Sequence, residues 1–470
     1  MKFILACIKK YYIFVSLIFC IFMAYTIFIS YLVQHPPKDK DNFVISSLLS
    51  LGNFPVLLKS IGFNSNNITQ IYNKNDIPIK TRENLQYGDN TRHKYNEQLL
   101  ISPQYKNDAL LILSRYNGEL KQNIVEIIDL IDFSVIHRYT IDFFDLNKQI
   151  DFSKYDPSFR NYAIPVRLRS FDIEIDDDLN LYSVLGEYGG PLLKVDQCSK
   201  VINLNQDVRA HHSLQRGLDK TFLTLNNNYP INEFVANKLN LKKDTNFKDN
   251  GIVRFDEDLN ILYSKSLLEL LIKNKILPTS FYLQDSKTDP IHANDVEEAV
   301  NDTNHWKKGD LFISSRNLSA IIHLRPSDNK IINFIQGPHI NQHDIDIISD
   351  HEISFFNNNS RIGHGINEFS EILIYDFEDN KFKSKFKNTV EKEKIYSYTG
   401  GGHHIFKDGS LLILEQNSAR LVMFDKSEEK VLQFTNVYNE DIYPISWFDV
   451  IEDKDRIKHL KQLINFRKDC

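Results

Sequence analysis

Two hydrophobic patterns organise this chain. The first is one uncharged run, Tyr11 to Val33, in which only Ser16, Thr26 and Ser30 are plainly polar. Wound as a helix it spans roughly 34 Å, enough to cross a hydrocarbon core of about 30 Å. Lys2, Lys9 and Lys10 precede it, and the first cation after it, Lys38, comes with Asp39 and Asp41. The positive-inside rule then sets residues 1–10 in the cytoplasm and the rest outside, a single-pass protein with an extracytoplasmic or periplasmic domain. The run is long and no A-x-A site follows, which favours an uncleaved signal anchor at 11–33 over a removed leader. Residues 34–107 read as a linker with helical or irregular packing segments, including a weakly amphipathic stretch from Phe43 to Gly62.

The second pattern begins near Asp108 and recurs. An apolar strand is followed by a polar turn, and then by a second apolar strand ending in Asp. The second strands are Val125–Asp129, Leu192–Asp196, Ile252–Asp256, Ile372–Asp376 and Leu421–Asp425, and a sixth copy, Ala320–Leu324, lacks the Asp. The strands before them are Leu110–Leu113, Leu179–Val184, Phe222–Leu225, Leu311–Ser315, Ile353–Phe356 and Leu411–Leu414. Six all-strand copies predict an all-β fold, a six-bladed β-propeller over 108–450, because a small sheet that cannot bury both faces alone finds its core by packing radially on its neighbours. A β-sandwich with long insertions needs no such self-similarity. A helical stretch, Ser264 to Lys275, lies in an insertion after Tyr229, and residues 451–470 predict a C-terminal helix.

Composition narrows the function classes. The proportions are globular, with 42% hydrophobic and 25% charged residues. The net charge is −6, and setting aside the three lysines of residues 1–33, which hold no Asp or Glu, takes the exported part to −9. A basic surface for nucleic acid is excluded, and no GxxxxGK[ST] loop occurs. Of four cysteines only Cys198 and Cys470 follow the anchor. They allow one disulfide, although Cys470 is the last residue and a free thiol is expected at least as readily.

Chemistry enters with histidine. Four of the repeat copies open with one: His211-His212, His292, His343 and His403-His404. Equivalent positions on innermost propeller strands converge on one channel mouth. Such a group suits either a metal ion or a metal-free site with a histidine nucleophile. Arg316, Arg361, Asn294 and Asp344 accompany it. Two arginines would repel a divalent metal, and their planar forks suit a sulfate or phosphate. His305, His323, His339, His351 and His364 have no equivalent place and read as structural or surface.

At these residues the chain resembles the bacterial arylsulfotransferases that use an aryl sulfate in place of a nucleotide sulfate. His292-Ala-Asn294, Ser314-Ser-Arg316, Gln342-His343 and Phe356-Asn-Asn-Asn359 are similar, in the same order, to that family's H-x-N, S-S-R, Q-H and F-D-N-G series. The resemblance holds over about 205–430. It implies a six-bladed propeller with a funnel site, an aryl sulfate donor, a phenolic acceptor, and neither metal nor other cofactor. By motif, His343 matches the histidine that is transiently sulfated. His292, Asn294 and Arg316 match the residues that hold the sulfuryl group, and His211 or His212 matches a further funnel histidine. His212 or His404 would serve as acid and base for the phenol, with Arg361 in support. The chain departs at Phe356-Asn-Asn-Asn359, in a longer segment between His292 and Arg316, and in a region 34–107 too short for an N-terminal β-sandwich. Two other function classes stand beside it: a propeller oxygenase with a metal held by the histidines, and a non-catalytic membrane-anchored propeller that binds an anionic ligand.

Overall fold

The repeated apolar runs fold as strands buried on both faces. Leu110 and Ile112 pack with Val125, Ile173 and Leu193, while Leu111 and Leu113 pack with Leu412, Leu414 and Phe434. Successive side chains on a strand point to opposite faces, so a strand held between two sheets reads as an unbroken apolar run. Leu311 and Ile313 are parted from Phe312 in the same way.

A computed structural model describes residues 99–466 apart from 104, 106, 157–158, 161–162, 164–167, 187, 243–246, 277–287, 362–363, 366–368 and 440. The chain divides into two compact units, Met1–Asn73 and Lys74–Cys470, and every described residue belongs to the second. The predicted anchor at 11–33 lies outside the described residues. Among those described, no helix is long and apolar enough to cross a membrane.

The described chain is mostly β and propeller-like, with few helices. Four antiparallel sheets have blade form. The first runs Ile445–Ile451, Leu110–Asn117, Gln122–Asp129, Ser134–Tyr139, so that a C-terminal strand is hydrogen-bonded beside an N-terminal one and joins the two ends of the domain. The others begin with Ala293–Glu298, with His343–Ile347 and with Gly402–Ile405. The last of these also takes in Leu99–Ile101, a strand inside the stretch read as linker. Its three residues are exposed and too few to show a period.

A fifth sheet has seven strands, from Ser170–Ile175 to Ile261–Ser266. Here the structure differs from six separate copies. One 16-residue strand, Val201–Arg216, pairs with Gly190–Val195 through its first part and with Phe222–Asn228 through its last. Two copies thereby share one sheet.

The recurrent Asp has a turn-forming role. Asp196 Oδ1 accepts from the N–H groups of Cys198 and Lys200, both at 2.9 Å. Asp256 does the same for Asp258 and Asn260, and Asp425 for Ser427 and Glu429. A side chain that accepts from backbone two and four residues on fixes a tight reversal. In the copy without Asp, Pro326 stands in the turn and its carbonyl accepts from Asn329 N–H. Cys198, in the Asp196 turn, is disulfide-bonded, which corrects the free-thiol expectation; no other described residue is a cysteine.

Candidate functional site

Six strands line one central cavity. In chain order they are β1 (Ser170–Ile175), β2 (Val201–Arg216), β3 (Ala293–Glu298), β4 (His343–Ile347), β5 (Gly402–Ile405) and β6 (Ile445–Ile451). Their sequences are polar and acidic on the channel side, which hid them from a search for apolar runs.

Register shifts shape the entries of five of these strands, between Ser170 and Asp172, Ala210 and Leu214, Ala293 and Asp295, His343 and Ile345, and Ile445 and Trp447. His212 and Asp344 take positive φ within them, at 52° and 55°, and His292, just before the third strand, at 45°. A bulge breaks the strict alternation of side chains and re-aims them. Neighbours such as His343 and Asp344 therefore have different surroundings: Asp344 lines the cavity, and His343 is held by Asn358.

The environment of His343 fixes its proton. The Asn358 amide nitrogen donates to the carbonyls of Ser397 at 2.8 Å and Gly400 at 2.6 Å. Its Oδ1 is thus the atom turned to His343 Nδ1, at 2.7 Å, and the Asn341 carbonyl lies 3.1 Å from the same nitrogen. Both neighbours are acceptors, so Nδ1 carries the hydrogen and Nε2 keeps its lone pair. Burial, together with the Arg316 guanidinium, pushes the imidazole pKa down to about 3, against the Asn358 bond. His343 is neutral at neutral pH.

The departures from the family pattern sit around this residue. Asn357, Asn358 and Asn359 are all buried. Asn359, where the family has Gly, has φ +52°. Asn tolerates that left-handed region better than most non-glycine residues. Its amide nitrogen donates to Phe369 O and Glu371 Oε2. Asn358 keeps the family's Asn, and Asn357 replaces the Asp.

Arg316 follows Ser314 and Ser315, whose hydroxyls donate to the carbonyls of Gln342 and Ile291. Gln342 answers with its amide nitrogen on Ser314 Oγ and on the carbonyls of Ser315 and Ala320. The S-S and Q of the motifs are therefore ties between β4 and the neighbouring sheet. Arg316 is 8% exposed, and among the described residues its guanidinium bonds only Asn317 Oδ1 and forms no ion pair. Burial lowers its pKa, with Asp289 and Tyr398 opposing. Asn294 donates to Gln342 O at 2.8 Å, and its own Oδ1 accepts no hydrogen bond.

Three more histidines complete the group. The His212 ring lies 5.2 Å from His211 and 5.3 Å from His292. Burial, then the charges of His211, His292, His343 and Arg316, holds His212 well below its ordinary pKa. Burial likewise pushes His211 to about 3. His292 Nδ1 lies 2.6 Å from Asp289 Oδ2. Asp289 is a site residue that sequence reasoning missed, and the D-x-x-H spacing before β3 was its signal.

The structure leaves one sequence candidate, His404, apart from the group. His404 lines the acidic cavity further along the channel and bonds Glu452 Oε1 at 3.1 Å. Of Arg361 only the backbone is described, in a two-stranded ribbon with His364–Gly365. Nor do the histidines form one metal ring. Among the described residues the groups able to hold an ion are Asp344, Asp346, His403 and His351, Glu352, Asp376, neither of which includes His211, His212, His292 or His343.

Fold and site together define a propeller-like protein with a buried, anion-ready histidine–arginine centre. The family described as arylsulfotransferase (ASST) matches residues 184–437, more than half of the chain, and the chain belongs to it. The match supports a sulfotransferase-type enzyme acting on small molecules. No curated protein matches. Similar solved structures include a Bacteroides caccae protein of unknown function, at 9% identity over 74% of this chain and 100% of that one, with a TM-score of 0.45. Virginiamycin B lyase from Staphylococcus aureus has 13% identity, 57% and 70% coverage and a TM-score of 0.34. The C-terminal WD40 domain of Sif2 has 8% identity, 68% and 79% coverage and a TM-score of 0.36. These likenesses carry no argument about function.

Proposed function

We propose that this protein moves a sulfuryl group from an aryl sulfate to a phenol through a sulfo-histidine on His343. The observation that carries the reading is Arg316, a buried guanidinium without a carboxylate partner among the described residues, beside an imidazole whose Nε2 lone pair is free to react. In the first half-reaction His343 Nε2 attacks sulfur, the N–S bond forms, and the S–O bond breaks with its electrons on the departing phenolate. Arg316 and the remaining N–H of Asn294 hold the sulfuryl oxygens as their charge shifts. In the second, a phenol oxygen attacks sulfur and the N–S electrons return to His343. His292, oriented through Nδ1 by Asp289, takes the phenol proton on Nε2. His404 stands in a different part of the channel and has no part in this sequence.

The six channel-lining strands support a six-bladed propeller. In this reading Val201–Arg216 is the outer strand of one blade and continues as the inner strand of the next. The lysines before 11–33 support a membrane anchor with a cytoplasmic N-terminus, and external protease on spheroplasts should then degrade the domain. Intact-mass spectrometry after exposure to 4-nitrophenyl sulfate tests the chemistry. One sulfo adduct is expected in the wild type and none in His343→Ala. An adduct of equal yield in His343→Ala would place the nucleophile elsewhere.

A further inference from the structure

The helix Lys454–Phe466 follows the strand that closes the domain, Ile445–Ile451, which is paired with Leu110–Asn117. Its apolar face packs onto two sheets at once. Ile457 and Leu460 are buried with Val125 and Tyr139 of the first sheet and with Leu193 and Val195 of the seven-stranded one. Polar ties reach both sheets as well. Lys461 pairs with Asp129, and Arg456 pairs with Glu174 and Asp177, each at 3.2 Å. Among the described residues these ties end at Lys461. In the last turn only Leu463 and Ile464 pack against the core, and Phe466 is 90% exposed.

Beside that turn lies a cavity of about 680 Å³, walled by Ile464 and Asn465 of the helix, by His137, and by Gln197, Cys198 and Ser199 of the Asp196 turn. Ser199 Oγ accepts from Thr140 N–H at 2.8 Å, which fixes this turn to the first sheet. Cys198 is exposed and disulfide-bonded. The other cysteines of the chain are Cys7, Cys20 and Cys470. Cys470 comes four residues after Phe466, a reach of at most roughly 14 Å. The α-carbons of a disulfide stand about 4.4–6.8 Å apart, so the chain end can cross the cavity to Cys198. Cys7 and Cys20 belong to the other compact unit, before and inside the uncharged run. With the anchor proposed above, one thiol stands in the reducing cytoplasm and the other in the bilayer, and neither shares an oxidising compartment with Cys198. That exclusion rests on the anchor reading; the reach from Phe466 does not.

We propose that Cys198 and Cys470 form one disulfide, with residues 467–470 crossing the cavity, and that this bridge latches the closure of the domain. Two thiols become one S–S bond, and their two protons and two electrons pass to a disulfide-bearing oxidant, which leaves as a dithiol. The chain end is then tied to the seven-stranded sheet. The closing strand stays tethered even when its pairing with Leu110–Asn117 opens. A bridge between residues so far apart in sequence also restrains the unfolded chain.

The test takes the full-length protein, exported and purified without reductant, with free thiols alkylated before digestion. Mass spectrometry should find one peptide pair joining Cys198 to Cys470, lost on reduction. An alkylated Cys470 would overturn the pairing and leave the anchor reading standing. A bond from Cys198 to Cys7 or Cys20 would overturn both, and a bond to Cys198 of a second copy would overturn the pairing alone. The latch is read separately. Cys470→Ser and Cys198→Ser should each lower Tm by about 5 °C or more, with no further loss in the double variant. Limited proteolysis should release the C-terminal helix at least about tenfold faster from Cys470→Ser than from wild type. Wild-type Tm and wild-type release in that variant would overturn the latch.

Discussion

The same inner strands build two regions of opposite chemistry. At or beside their entries stand His211, His212, His292 and His343, with Arg316 just past the end of the neighbouring strand Leu311–Ser315. One to five residues further along stand Asp295, Glu297, Asp344 and Asp346. Burial acts on both but in opposite senses, because it always penalises the charged form. It drives the imidazoles of His211, His212 and His343 down, His343 to about 3, and so leaves a neutral nucleophile without further cost. It drives the carboxyls up, Asp346 to about 6, and so leaves groups that need a proton or a cation. The entry region therefore suits an anion, whereas the acidic region favours carboxyls that keep their protons, and bulges at His343 and Asn294 set the boundary between them.

The strongest way to break this division is to compare one residue from each side. His343→Ala should lose at least about 10³-fold in kcat, since no other lone pair replaces Nε2. Asp346→Asn should keep kcat/KM within about twofold, because the acidic region makes no contact with the reacting group in this mechanism. Comparable losses in both variants under steady-state assay would merge the two regions into one site.

Next in size is Asn358, a positioning residue. Asn358→Leu removes the nearer of the two acceptors that hold the proton on Nδ1 and strands two carbonyls that it now satisfies. A drop of about 30-fold in kcat is expected with KM little changed, alongside roughly 1–3 kcal/mol of lost stability. Asn358→Asp keeps an acceptor oxygen and should recover most of the rate. Equal rates in the two variants would leave Asn358 with a structural role only. Arg316→Lys keeps the charge and loses the fork, for a loss of about tenfold in kcat/KM, or ~1.4 kcal/mol. A variant indistinguishable from wild type would remove Arg316 from the sulfuryl site.

Legibility followed the same division. The middle strands could be read from sequence because they are buried on both faces, as at Leu110-Leu-Ile-Leu113. The terminal Asp of five copies was visible as a pattern, although its use, closing a turn onto backbone N–H groups, needed coordinates. The inner strands were the hidden ones: Ser170-Phe-Asp-Ile-Glu-Ile175 carries carboxyls where a core strand would carry leucine. The motifs marked His292, Asn294, Arg316 and His343, but they could not separate His403 and His404 from the other histidines. That separation comes from Asp344 and Glu452, which bind them from elsewhere in the chain. The fusion of two copies through Val201–Arg216 was likewise invisible, because its polar middle reads as a turn.

The smallest effect comes from a histidine outside both regions, and it calibrates what burial alone does. His339 is 1% exposed and packs its ring against Phe355 and Phe382, with centroids at 5.0 and 5.6 Å. Neither ring nitrogen reaches a hydrogen-bond partner, and burial pushes its pKa from 6.5 down to about 4, the Ser319 backbone offsetting this only in part. The fold therefore binds this proton more weakly than the unfolded chain does. Its contribution to stability is complete above about pH 6.5 and is lost as pH falls from there toward about 4, at ~1 kcal/mol per pH unit. His339→Leu keeps an apolar side chain in the aromatic pocket and removes the titration. Chemical unfolding at pH 7.5 should place the variant within about 1.5 kcal/mol of wild type. At pH 5 the variant should gain on wild type by roughly 1–2 kcal/mol relative to that difference. A gap that does not change between the two pH values would mean that His339 keeps its ordinary affinity for the proton. Burial would then be too weak to account for the neutral state of His343 as well.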